Sequence, residues 1–219
     1  MRITSRDVER ATNERLDPWA VSNGLLYELC RQYPGHQDAQ GVTAKMLLIG
    51  RAYAATAERG RSAGSTAESS GDEFYIRDLP RALRMSAIDA RLRALRGLPT
   101  ITDQNAPKIV QTHSVLMAVL RDLTGLEKRA LASKYLHFHI PRLFFIFDSR
   151  AQRVMRSVSP ARRLNAHLRG RDGDPEYELF VARALALRGE LEDRFGVQLT
   201  PRQLDRVLLT LEARHLRDA

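Results

Sequence analysis

Lys134 and Asp148, fourteen residues apart, are the two side chains in this sequence best placed to do chemistry. Leu131, Lys134, Tyr135 and Phe138 recur at i, i+3, i+4 and i+7, which sets the lysine on or beside the apolar face of a helix. An ammonium there must snorkel to solvent, pair with an acid or lose its proton, because desolvation disfavours the charged form. Asp148 precedes Ser149 and a helical pattern carried by Ala151, Val154, Met155 and Val158, with Ser149 and Gln152 at capping-box spacing. The aspartate therefore reads either as a carboxylate held by the helix dipole or as the partner of a cation.

The opposite face of that second helix carries Arg150, Arg153 and Arg156 at three-residue spacing, and Arg162, Arg163, Arg169 and Arg171 follow. The net charge is +9, and 31 of the 35 basic residues are arginine, a compositional bias that discounts the total. Distribution says more: Arg121 to Arg171 holds twelve basic residues against three acids, and the rest of the chain sums to zero. Charge confined to one segment is the footprint of a polyanion-binding surface, whereas bias alone spreads evenly. Arg142, Arg150, Arg153, Arg156, Arg162, Arg163 and His137 are the candidate nucleic-acid contacts, beside an open helix N-terminus suited to backbone phosphate.

His137 and His139 form an H-x-H pair, which points both rings one way only on a strand. In a helix they diverge, so no shared metal is expected, and His137 reads as a structural histidine or a phosphate or base contact. Arg51, Tyr53, Glu58 and Arg59 lie in an alanine-rich helical stretch, where core packing with charges at the rim is the simplest account. The sequence has no phosphate-binding glycine loop and no local Ser-His-Asp or Cys-His arrangement. The single cysteine, Cys30, allows no internal disulfide and reads as a packed thiol.

Helices must position these groups. A capping residue followed by proline marks four starts, at Asp17-Pro18, Ser159-Pro160, Asp174-Pro175 and Thr200-Pro201, since proline has no N–H to lose at the first helical position. The periodicity predicts helices over about 18–31 (apolar Trp19, Leu25, Leu29), 38–59 (Val42, Met46, Ile49, Tyr53, Ala57, widened by Leu47 and Leu48), 76–95, 107–120, 127–139, 175–195 and 201–216. The small, polar 60–71 segment predicts a flexible loop, and Leu143–Phe147, LFFIF after Pro141, a short extended stretch. The expected fold is all-α: one helical domain over 1–219, divisible into lobes of about 1–122 and 123–219 around a cleft.

A helical lysine, an apolar extended run and an aspartate at a helix mouth resemble the catalytic core of the helix-hairpin-helix base-excision DNA glycosylases, the 8-oxoguanine type in particular. The resemblance covers about residues 124–155. It departs from the family pattern in lacking a glycine-rich hairpin before the lysine, where only Thr124-Gly125-Leu126 stands, and in a shorter lysine-to-aspartate interval. It implies Lys134 as the nucleophile that attacks the sugar C1′ and forms a Schiff base, with Asp148 steadying the developing positive charge. The residue types suit that chemistry, because a neutral amine attacks and a carboxylate stabilises a cationic transition state.

The expected function is thus a DNA-binding glycosylase or abasic-site lyase that needs no cofactor or metal. Two alternatives are a non-enzymatic nucleic-acid-binding module, for example of a defence or mobile-element system, with Lys134 and Asp148 structural, and a domain that docks an acidic protein. No apolar run approaches a membrane span and the first residues lack a leader pattern, so a cytoplasmic protein without membrane association is expected.

Overall fold

The computed structural model describes residues 2–57, 73–159 and 173–218. The expected loop at 60–71 lies outside them, as do Arg162, Arg163, Arg169 and Arg171. Among the described residues the fold is all-α, with no strand and no helix long and apolar enough to cross a membrane. The described residues form ten α-helices: α1 (Ser5–Thr12), α2 (Ala20–Gln32), α3 (Ala39–Ala52), α4 (Leu79–Met85), α5 (Ile88–Leu95), α6 (Ala106–Thr124), α7 (Arg129–His139), α8 (Ser149–Val158), α9 (Pro175–Phe195) and α10 (Pro201–Asp218). A 3-10 turn at Glu14–Leu16 and a π turn at Phe74–Asp78 complete the order.

Of the four proline-marked starts, those of α9 and α10 hold, where Asp174 accepts the Glu176 N–H and the Thr200 hydroxyl accepts the Gln203 N–H; α2 begins only at Ala20, after Asp17 has accepted the Trp19 N–H, and Pro160 lies outside the described residues. Stops follow the same local logic. Gly125 and Gly196 take φ of 71° and 68° to end α6 and α9, a conformation that costs any residue with a Cβ about 1 kcal/mol.

Three helix expectations need correction. In α2 the buried positions are Asn23, Leu26 and Cys30, while Trp19 and Leu25 are exposed, because α2 turns that face onto α3 and α7. The 38–59 helix stops at Ala52, where Ala54 enters the left-handed region at φ 49°; Val42, Met46 and Ile49 are buried as the periodicity requires, Leu48 is not, and residues 58–59 are outside the described chain. The 76–95 stretch breaks at Ser86, whose extended backbone ends α4 and whose hydroxyl accepts the Ile88 N–H at the start of α5.

Helix α7 is the central element. Every side chain from Leu131 to Phe138 is buried, and α2, α3 and α6 pack around it. The LFFIF segment beside it is irregular and buried throughout, so its peptide groups take side-chain partners: Phe144 O accepts from His137 Nδ1 (2.8 Å), Phe145 O from the Tyr177 hydroxyl (3.0 Å), and Phe147 N donates to Ser133 Oγ (3.0 Å). His113 stacks on Tyr177 at 3.7 Å between ring centres.

Burial holds His113 near 4 and His137 near 3, and lowers His36 and His139 as well. Groups whose folded pKa lies below the unfolded value stabilise the fold above about pH 6.5 and lose that contribution as the pH falls. Asp205, raised by burial to about 7, works the opposite way. Near pH 5 the three histidines held lowest, His113, His137 and His139, set against Asp205, are expected to make unfolding take up about two protons, so stability falls by about 3 kcal/mol per pH unit there. Urea unfolding from pH 7 to pH 4.5 checks this; a pH-independent midpoint would contradict it.

Candidate functional site

Lys134 is 4% exposed, and its amine lies 3.6 Å from Asp148 Oδ2. It also donates to Tyr53 O (3.4 Å) and stands 5.5 Å above the Tyr53 ring. That carbonyl is free because α3 has ended: the last carbonyls of a helix lack intrahelical donors, and here a side chain supplies one. Burial lowers the lysine's pKa, and the nearby Asp148 and Asp205 oppose the shift.

Asp148 has extended backbone and is itself the N-cap of α8, its Oδ1 accepting the Ala151 N–H at 2.8 Å. The capping box expected one residue later is therefore absent: Ser149 is the first helical residue, and Gln152 donates to Glu176. The link between Ser133 and Phe147 spans the same fourteen-residue interval as Lys134 and Asp148, so the clamp puts the next residue of each element opposite the other.

The two groups face a pocket of about 750 Å³ between the ends of α2 and α3, the middle of α7, the mouth of α8 and the start of α10. Arg129, Lys134, Arg150 and Arg202 line it against Glu127, Asp148, Glu176 and Asp205, so its formal charge balances. Trp19, 60% exposed, stands at the wall. Behind Lys134, Tyr53 donates its hydroxyl to Asn23 Oδ1 (2.6 Å), and the Arg202 guanidinium stands 5.8 Å from the Tyr53 ring and 3.2 Å from Asp205. Burial pushes the Tyr53 hydroxyl up to about 12 and the Asp205 carboxyl up to about 7.

The expected arginine contacts divide. Arg150 reaches both the pocket and Glu212 of α10, and Arg153 pairs with the same glutamate at 3.5 Å. Arg142 donates to the carbonyls of Leu98 (2.6 Å) and Arg96, so it braces a turn instead of presenting a free guanidinium. Arg156 is exposed and makes no ion pair among the described residues. His137 is not a nucleic-acid contact: it is wholly buried, and beyond the Nδ1 bond its Nε2 meets the Tyr27 hydroxyl at 2.8 Å. His139 lies apart from it, stacked on His36. No group of three metal-ligating side chains occurs among the described residues.

Sequence reasoning missed Asn23, Arg202 and Asp205. A signal existed for the last: Leu204, Asp205, Leu208, Leu211 and Glu212 share one helical stripe, and a carboxylate within an apolar stripe needs a partner. Comparison with protein-family models, curated proteins and solved structures returned no match.

The ion pair has a testable energetic consequence. Asp148→Ala removes a helix cap and leaves a buried ammonium without its carboxylate, and is expected to cost about 2–3 kcal/mol. Lys134→Met, of similar shape, is expected to change stability by less than about 1 kcal/mol or to raise it, because the desolvation cost disappears with the charge. Denaturant unfolding of both variants checks the contrast, and equal losses would contradict it.

Proposed function

We propose that the chain is a base-excision DNA glycosylase or abasic-site lyase in which Lys134 is the Schiff-base nucleophile and Asp148 its electrostatic partner. One observation carries this reading: a desolvated lysine and a carboxylate 3.6 Å apart face the same pocket. Desolvation favours the neutral amine that attacks, and the carboxylate is placed to steady positive charge developing at the sugar.

Other features support the same reading. The volume is that of a small-molecule site, and balanced charge suits a neutral base better than a phosphate. Trp19 offers a flat apolar surface at the wall, of the kind on which bases stack. Helices α6 and α7, joined by the turn 125–128, form a helical hairpin whose second helix carries the lysine. Arg156, exposed on α8 and without an ion pair among the described residues, is available for backbone phosphate, and a cytoplasmic role in DNA repair accompanies this activity. The arrangement calls for no cofactor, since the lysine itself supplies the covalent step.

A second reading, a non-enzymatic nucleic-acid-binding module, is favoured by Asp148 using one oxygen as a helix cap and the other on the lysine, a purely structural occupation.

Borohydride added to the protein with duplexes carrying damaged bases or abasic sites is expected to trap a covalent complex that Lys134→Ala abolishes and Asp148→Asn reduces at least about 10-fold. Salt-sensitive binding without any adduct, weakened by Arg156→Gln, would favour the binding module. No affinity even at low salt would sink both readings and leave docking to an acidic protein.

A further inference from the structure

The Lys134 amine has two polar contacts and one open direction. It donates to Tyr53 O at 3.4 Å and faces Asp148 Oδ2 at 3.6 Å, and its third N–H has no partner among the described residues. Tyr53 meets it twice, since the amine also stands 5.5 Å above the Tyr53 ring. A carbonyl oxygen and an aromatic face both attract an ammonium more strongly than a neutral amine.

The chain is bent to bring Tyr53 there. Tyr53 ends α3, and Ala54 after it holds φ at 49°, the one positive φ outside glycine among the described residues. Such a backbone is strained for a residue with a Cβ, and strain kept at the wall of a pocket points to a use. The chain then doubles back: Ala55 N donates to Gly50 O at 2.8 Å, and a Cβ at Gly50 would stand 3.3 Å from Thr56 Cα. Three neighbours pin the turn. The Tyr53 hydroxyl donates to Asn23 of α2 (2.6 Å), its ring packs on Phe138 of α7 (5.6 Å between centres), and Lys128, just before α7, donates to Thr56 O (3.2 Å). Turn and lysine are therefore fixed to one another.

The charged and titratable groups around the amine come from every neighbouring element: Asp148 and Arg150 at the mouth of α8, Asp205 and Arg202 of α10, Glu127 and Arg129 at the start of α7, Glu176 of α9, and Tyr53 itself. Asp148 is the one that forms an ion pair with it. Arg202 stands 5.8 Å from the Tyr53 ring and is held by Asp205 at 3.2 Å.

We propose that Tyr53 is the positioning residue of the nucleophile. Its ring and carbonyl hold the resting ammonium; once a proton has left, its carbonyl and Asp148 keep the two remaining N–H bonds, which turns the lone pair to the open direction. This rests on the reading of Lys134 as nucleophile. The nitrogen is tetrahedral, so fixing Cε and two N–H bonds leaves the lone pair only the direction of the departed proton. At an abasic site that pair forms the N–C1′ bond with the aldehyde carbon, whose π pair moves to the oxygen. Of the three ammonium protons, one stays on the iminium nitrogen and two leave with that oxygen as water, carried by solvent. Atoms and charge balance, and no oxidant or reductant is consumed. An amine held in line with its target reacts faster than one merely close to it.

Two readouts on the full chain, Tyr53→Leu and Tyr53→Phe test this. One is the pKa of the Lys134 amine, followed by NMR of isotope-labelled lysine and assigned with Lys134→Ala. The other is the pH dependence of borohydride-trapped adduct formation on a duplex with a single abasic site. Tyr53→Leu is expected to lower the amine pKa by about 0.5 to 1 pH unit, to move the rising limb of the trapping rate down with it, and to lower the plateau about 10-fold. Tyr53→Phe keeps ring and carbonyl, and is expected to restore the limb and most of the plateau. An unmoved amine pKa and limb in Tyr53→Leu marks a packing role and overturns the proposal, even where the plateau falls; so does an unchanged plateau, or a Tyr53→Phe that behaves like Tyr53→Leu. If Tyr53→Leu does not fold, Tyr53→Met replaces it under the same criteria. Absence of any wild-type adduct overturns the lysine-nucleophile reading whatever the NMR shows, and this proposal with it.

Discussion

A buried stretch of chain with no helix or sheet to satisfy its peptide groups constrains this fold more than any other feature. Leu143–Phe147 lies in the core, where an unpaired N–H or C=O is costly, and the partners come from Ser133, His137 and Tyr177. Two of those partners sit on α7 and the third on α9, so the segment ties the two helices together. The Ser133–Phe147 link also fixes register. Once it forms, Lys134 and Asp148 are the next residues on facing elements, and the 3.6 Å approach of their charges follows from a neutral hydrogen bond one residue away. The site is thus held by polar bonds that are not themselves part of its chemistry.

Electrostatics in the pocket is a contest between burial and pairing. Burial disfavours the charged forms of Lys134 and Asp205, and each favours the charge of the other. Arg202 opposes the rise of Asp205 and stands against the Tyr53 ring, whose carbonyl holds Lys134. The chain carries a net charge of +9, yet this pocket is lined by equal numbers of acids and bases, and Glu212 takes both Arg150 and Arg153.

A second buried polar cluster supports α7 from its other end. Lys45, wholly buried, donates to the carbonyls of Tyr33 (2.6 Å) and Gly35 (3.0 Å) and lies 3.4 Å from His139; His36 bridges Asp89 of α5 and Tyr135 of α7. Burial holds the lysine near 8. These bonds join the α2–α3 turn, α5 and the C-terminal half of α7, so the helix that presents Lys134 is fixed along its length.

The sequence by itself determined what depends on neighbours a few residues away: an all-α fold, the proline-marked starts of α9 and α10 and the glycine stops, Lys134 on an apolar face, Asp148 at a helix mouth, and a non-helical stretch after Pro141. Each follows from helical periodicity, from capping, or from the φ that proline and glycine permit. Only the tertiary structure decided which face of α2 is buried, that α3 ends at Ala52, that His137 serves the core instead of a ligand, and that Arg150 and Arg153 meet Glu212. The same holds for Asp205, which lines the Lys134 pocket only because α10 docks beside α8. These outcomes turn on contacts between residues up to 110 positions apart, as Tyr27 and His137 are. An amphipathic pattern specifies that a face will be covered, and the docking of distant helices specifies which polar groups are covered together.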